Sequence, residues 1–207
     1  MSQMTRTVTA CWPVACRGYG GRMDVPRIGA LTSLPASENT HLLAAPVAAA
    51  LADWPYAGEV GVVEIDPELA DTAAMTEAYD VPLTASANCV VVSGRRDGVE
   101  RVAACVVRAD TRADVNNVVK RSLDVRKASF LPTDRAVEAT GMEYGGITPV
   151  GLPRDWRLFV AAACLDIDVA IIGSGVRRSK LLLPGHRLGD LPGAEVLSAL
   201  ALPVPVE

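Results

Sequence analysis

The sequence predicts an α+β domain built on a mixed, largely antiparallel sheet, and three observations carry that reading. Short apolar runs of strand length outnumber the segments with helical periodicity. Two of those runs, 86–92 and 102–107, flank a polar link rich in glycine and charge, the pattern of an antiparallel hairpin. Half of the 207 residues are hydrophobic but only 4% are aromatic, so the core must be assembled from Ala, Val, Leu and Ile. A doubly wound parallel sheet fits these features less well.

Taken in order, residues 1–30 lack sustained periodicity, and Arg17-Gly18-Tyr19-Gly20-Gly21-Arg22 reads as flexible chain, so a disordered tail is expected there, with Met23 as a candidate true start. From His41, the spacing of Leu42, Leu43, Val47, Ala50 and Leu51 predicts an amphipathic helix, with Pro46 tolerable only in its first turn and Trp54-Pro55 closing it. A strand is expected at 60–65, ended by Asp66-Pro67, and a helix over 67–79, broken by Val81-Pro82. The hairpin follows. Further along come a helix at 114–123, a strand at 127–131, and a helix at 133–140 with Thr133 as N-cap. Strands at 157–160, 168–172 and 181–183 and a helical turn at 186–191 complete the reading. The expected organisation is a tail (1–30), a helix-strand extension packed on the domain (31–69), and the main domain (70–207).

Charge and chemistry exclude several classes. A net charge of -4 argues against a protein that coats nucleic acid with a broad basic face, though not against one that touches only a nucleic-acid end. Five cysteines, Cys11, Cys16, Cys89, Cys105 and Cys164, show no metal-binding spacing; the last three sit in apolar runs and read as core, so no metal and no cofactor is expected. No apolar run approaches bilayer-spanning length, and a reducing cytoplasm is the expected location. With only His41 and His186, and no serine in a Gly-x-Ser-x-Gly elbow, a Ser/His/Asp hydrolase is poorly supported. Gly173-Ser174-Gly175-Val176-Arg177-Arg178-Ser179-Lys180 lacks the Gly-Lys-Ser/Thr order of a nucleotide-binding P-loop. A glycine-rich strand end carrying Arg and Lys still suits a phosphate or a terminal ribose, set against a plain basic turn.

The most informative stretch is Thr140-Gly141 followed by Gly145-Gly146-Ile147-Thr148-Pro149-Val150-Gly151-Leu152. Adjacent glycines followed by a stiffening proline make a fixed loop with bare main-chain groups, able to hold a ligand by backbone atoms alone. The alternative is a structural turn between two buried elements.

The order of these pieces from about residue 70 to 196, and above all Thr-Gly followed by Gly-Gly-Ile-Thr-Pro-x-Gly, resembles the YbaK and prolyl-tRNA synthetase editing-domain family. That resemblance implies a barrel-like sheet flanked by helices and hydrolysis of a wrongly attached amino acid from aminoacyl-tRNA. The partners it implies are the acceptor end of the tRNA and an aminoacyl-tRNA synthetase. It further implies that Gly145, Gly146 and Asn88 are catalytic, and that Ala87, Thr148, Pro149, Gly151, Gly173, Ser174, Gly175 and Lys180 bind substrate. Here the sequence departs from the family, which places a lysine where this chain has Ala87. Another cation such as Lys180 or Lys127 takes over, or substrate scope differs, or the domain binds without hydrolysing.

Overall fold

The computed structural model describes residues 25–204. In chain order the elements are β1 (Arg27–Ile28), β2 (Leu31–Thr32), β3 (Leu34–Pro35), α1 (Ala45–Asp53), β4 (Gly61–Glu64), α2 (Thr72–Ala78), β5 (Ala87–Arg96), β6 (Val99–Arg108) and β7 (Thr111–Ala113). After these come α3 (Lys120–Ser122), β8 (Ala128–Phe130), α4 (Thr133–Thr140), β9 (Arg157–Ala161), β10 (Ala170–Gly173), β11 (Ser179–Leu183), β12 (Ala194–Leu197) and β13 (Ala201–Pro203).

Two sheets organise the fold. One is antiparallel throughout, in the order β10-β11-β4-β3; the other is mixed, in the order β12-β9-β6-β5-β8, with β9 parallel to both β6 and β12. The α+β, largely antiparallel reading therefore holds. The expected barrel-like closure does not: among the described residues the sheets meet through a single bridge, Ser86 to Ile171, and remain two sheets. The first sheet draws β3 and β4 from the stretch 31–69 and β10 and β11 from beyond residue 70.

The hairpin runs further than expected. β5 and β6 pair from Ala87↔Arg108 to Arg96↔Val99, leaving Asp97 and Gly98 as the turn, both at positive φ (52° and 81°). That two-residue geometry matches the right-handed twist of the flanking strands, which lets a polar link continue the ladder instead of ending it. In the expected helix at 114–123, Val115–Val119 is wound as a π-helix before α3: Val119 N–H bonds the Asp114 carbonyl, five residues back, at 3.0 Å. Pro132, not Thr133, precedes the first turn of α4 as its N-cap residue, and no side chain caps that helix. Pro46 does sit in the first turn of α1. The expectations for the tail before residue 25, including Met23, Cys11 and Cys16, lie outside the described residues, whereas Arg27 and Ile28 already pair with β2.

The larger core gathers Val62, Leu181 and Leu183 of the first sheet with Val92, Ala104, Val106, Phe159 and Val160 of the second. Each such aliphatic side chain removed from water contributes roughly 1.5–3 kcal/mol. The other face of the antiparallel sheet is covered by α2, whose Met75 packs on Val63, Ile171 and Leu182. Lys180 belongs to that second face by strand alternation, between Ser179 and Leu181 of the larger core.

A candidate cavity where the two sheets join

Where the start of β5 meets the end of β10, a cavity of about 380 Å³ opens. Five of the expected residues share its lining: Ala87 and Asn88 from β5, Gly145 from the long loop, Gly173 from β10 and Lys180 from β11. Its volume suits a small organic ligand or one residue of a larger one.

Lys180 is the unusual group. It is 8% exposed, and burial, together with the nearby Arg177 charge, holds its ammonium below the usual lysine range, with Asp71 opposing. No hydrogen bond or ion pair to it is found among the described residues. Asp71 itself points outward, three-quarters exposed, 3.6 Å from the Arg177 guanidinium at the rim. Across the cavity Asn88 is exposed, and Thr72 at the start of α2 donates its hydroxyl to Asn88 Oδ1 at 3.1 Å, leaving the two amide N–H donors for other partners. Ala87 beside it is buried and offers no polar side-chain atom. Ser86 also lines the space, and its hydroxyl is buried without a partner. Cys89 shares this wall, but desolvation, reinforced by the Cys105 thiol, pushes its thiol far above the ordinary range, so it stays protonated. Cys105 and Cys164, buried in the core, are each pushed by desolvation to about 12.

The two glycine-bearing loops are joined main chain to main chain. Gly175 N–H donates to the Gly146 carbonyl at 2.8 Å, Glu143 N–H donates to the Gly175 carbonyl at 2.8 Å, and Gly146 N–H donates to the Glu143 carbonyl at 2.9 Å. The Glu143 carboxylate accepts from Arg177 N–H at 2.7 Å. Such close approach requires glycine: a Cβ at Gly146 would lie 2.8 Å from the Val176 nitrogen, and one at Gly173 would lie 2.4 Å from the Gly146 carbonyl oxygen. Gly146 is thus buried with its own polar groups engaged, whereas Gly145 is exposed on the cavity side, at φ 76°.

The remaining expected residues lie elsewhere. Thr148 is fully buried with an unpartnered hydroxyl. Pro149 lines a separate depression with Trp156, Leu158 and Pro192. Gly151 packs on the Pro46 carbonyl and Gly175 on Ala44, at the entry to α1. Ser174 ties its own turn, with Oγ 2.7 Å from Ser179 Oγ. His41 and His186 do not line the cavity, and neither does Lys127. Among the described residues no three His, Cys, Asp or Glu side chains gather as a ligand set, and no helix is long and apolar enough to cross a membrane.

Two residues at the cavity escaped the sequence reading. Phe130, at the sheet edge on β8, and Tyr144, beside Gly145, are 62% and 64% exposed, and both line the same opening. The Arg177 guanidinium lies 5.9 Å from the Tyr144 ring centre. Only two Phe and four Tyr occur in the chain, so two solvated aromatic rings at one opening are a signal that composition alone could have raised.

A glycine-walled cavity with a buried cation and an aromatic rim is a candidate small-ligand site in a domain of two packed sheets. Residues 66–191, more than half of the chain, match the family described as the aminoacyl-tRNA editing domain, and the chain belongs to that family. Its fold is similar to that of a candidate trans-editing enzyme for prolyl-tRNA synthetase, at 20% identity and a TM-score of 0.64, over 76% of this chain and 96% of that one. It is also similar to a hypothetical protein, APE2540, at 22% identity and a TM-score of 0.60, over 68% of this chain and 90% of that one. The YbaK-like resemblance is upheld at the level of family and fold.

Proposed function

We propose that this protein is a freestanding, cytoplasmic trans-editing hydrolase that removes a mischarged amino acid from aminoacyl-tRNA. The observation that carries the reading is the gathering of Ala87, Asn88, Gly145, Gly173 and Lys180 around one cavity in a chain of the editing family. The acceptor end of the tRNA enters past Phe130 and Tyr144, whose exposed rings offer stacking faces to unpaired bases. That docking needs no broad basic surface, in keeping with the net charge of -4. An aminoacyl-tRNA synthetase is the expected source of the mischarged substrate.

In this reading water attacks the ester carbonyl, the ribose oxygen leaves with a proton, and the free amino acid and tRNA are released. Bond-making builds negative charge on the carbonyl oxygen. Donors fixed beforehand stabilise that charge without reorganising, and this reading assigns that role to the Asn88 amide and the main chain at Gly145, both of which line the cavity. The buried Gly146 and its close neighbour Gly173 hold Gly145 in position through the loop contact. Aminoacyl esters are intrinsically labile, so positioning accounts for much of the required acceleration.

Mischarged tRNAs incubated with the protein should release at least one amino acid faster than buffer does; no release from any of them at micromolar protein defeats the proposal. A second reading, a non-catalytic module that binds the aminoacyl end, is favoured by Ala87, which carries no donor where the family has a lysine. A nonhydrolysable aminoacyl-tRNA mimic separates the two, since binding without turnover selects the module.

A further inference from the structure

A buried ammonium without a counter-ion is costly, and a cavity around it allows a ligand to supply the missing charge. Lys180 meets both conditions: it is more than nine-tenths buried, and it lines the cavity between its strand neighbours Val63 and Gly173, both uncharged. The charged or titratable groups around it are few. Arg177 and Asp71 face each other at the rim, the Cys89 thiol lies on the β5 wall, and the Tyr144 phenol stands at the opening. Asp71 lines the same cavity, but it is three-quarters exposed and engaged with Arg177, so among the described residues no carboxylate stands in ion-pair contact with Lys180. The unpartnered hydroxyl of Ser86 on the same lining is a second polar group without a protein partner.

We propose that Lys180 anchors an anionic group of the ligand, so that the cavity selects substrates carrying a carboxylate or phosphate at that depth. Resting on the deacylase reading, the anion is either the side-chain carboxylate of an acidic amino acid to be removed or a phosphate of the terminal nucleotide. The two sources share the chemistry of a compact oxyanion accepting from an ammonium. Binding restores a counter-charge to a lysine whose proton affinity burial has lowered, so it is coupled to proton uptake and strengthens as pH falls.

Calorimetry with two matched pairs tests this on the full chain: L-glutamic acid α-amide against L-glutamine α-amide, which share the α-amino group and differ only in carrying a side-chain carboxylate or a neutral carboxamide, and 5′-AMP against adenosine. In at least one pair the member with the anionic group should bind about tenfold more tightly than its twin, with that preference weakening from pH 7 to 9. Lys180→Met should erase that preference, and Lys180→Arg should retain part of it; thermal melts confirm that both variants are folded. Preference within the first pair assigns an acidic amino acid, and within the second a nucleotide phosphate. Equal binding within both pairs, no binding by any of the four, or a preference that survives in Lys180→Met overturns the proposal. Because no hydrolysis is measured, an anion preference without deacylation would sink the enzyme reading alone. Deacylation by a Lys180→Met variant at the wild-type rate would sink this one alone.

Discussion

The two walls of the cavity differ in kind. The β5 wall carries Ala87, Asn88 and Cys89, an apolar residue, a neutral amide and a thiol that desolvation keeps protonated. The wall formed by β10, β11 and the Gly145 loop carries Lys180, together with glycines packed so closely that main chain touches main chain. One wall is conventional sheet with a neutral surface; the other stores an unpaired charge and a rigid backbone. A cavity with the uncharged Ala87 on one strand can therefore still hold a cation, supplied by Lys180 from across it.

Substitutions that act on one wall at a time break or sharpen this contrast. Lys180→Met should lower kcat/KM for aminoacyl-tRNA by about 100-fold, the scale of removing one partner of a buried charge interaction. It should simultaneously raise stability at neutral pH by roughly 1–3 kcal/mol, since an apolar chain of similar volume replaces an uncompensated buried ammonium. The sign follows from linkage. The lysine binds its proton less readily in the folded state, so the wild-type protein gains stability as pH rises through the interval between the folded and unfolded values. The variant should lose that dependence, which melting curves between pH 6 and 10 will show.

Gly146→Ala places a methyl 2.8 Å from the Val176 main chain and should cost about 1–3 kcal/mol in chemical denaturation, with activity falling alongside. Retained stability with lost activity would instead assign Gly146 a direct role in the chemistry. Ala87→Lys adds a second cation from the neutral wall and should raise affinity for aminoacyl-tRNA about tenfold, at some cost in stability because the site is 3% exposed. A folded variant with weaker binding and weaker activity would show that position 87 does not face the substrate. Phe130→Ala should raise KM about fivefold with kcat and melting temperature nearly unchanged, and Phe130→Trp should restore it. An unchanged KM would remove the stacking role.

Much of the fold was legible because it depends on local pattern. The apolar runs that became β5, β6, β9, β10 and β11, the helix position of Pro46 and the hairpin all follow from periodicity and breakers. What escaped depends on partners distant in sequence. β12 and β13 are short and half-exposed, and exist because β9 and β7 offer them edges, which no periodicity in Ala194–Leu197 or Ala201–Pro203 announces. The Asp97-Gly98 turn was present as a strong hairpin signal but lay inside a charged link that masked it.

The site divides in the same way. The Gly-Gly loop and the Gly173-Ser174-Gly175 turn stood out in the sequence, but which of their residues reach the cavity is decided by three-dimensional contact. Gly145 and Gly173 do; Thr148 is fully buried away from it, and Pro149, Gly151, Ser174 and Gly175 serve the loop-to-loop contact, the α1 junction, their own turn or a separate depression. The isolation of Lys180 is equally invisible in the local basic pattern, because it reflects which residues stand opposite it, the uncharged Val63 and Gly173, while the carboxylate-bearing Glu64 of β4 pairs with Ser179 one position away.

The central claim, that this cavity is where an aminoacyl ester is cleaved, is tested most directly by one deacylation panel. Wild-type protein and Lys180→Met are incubated side by side with tRNAs carrying each candidate wrong amino acid, and release is followed over time. The account predicts release of at least one amino acid by the wild-type protein and a loss of about 100-fold in the variant. No release by folded wild-type protein from any member of the panel would contradict it.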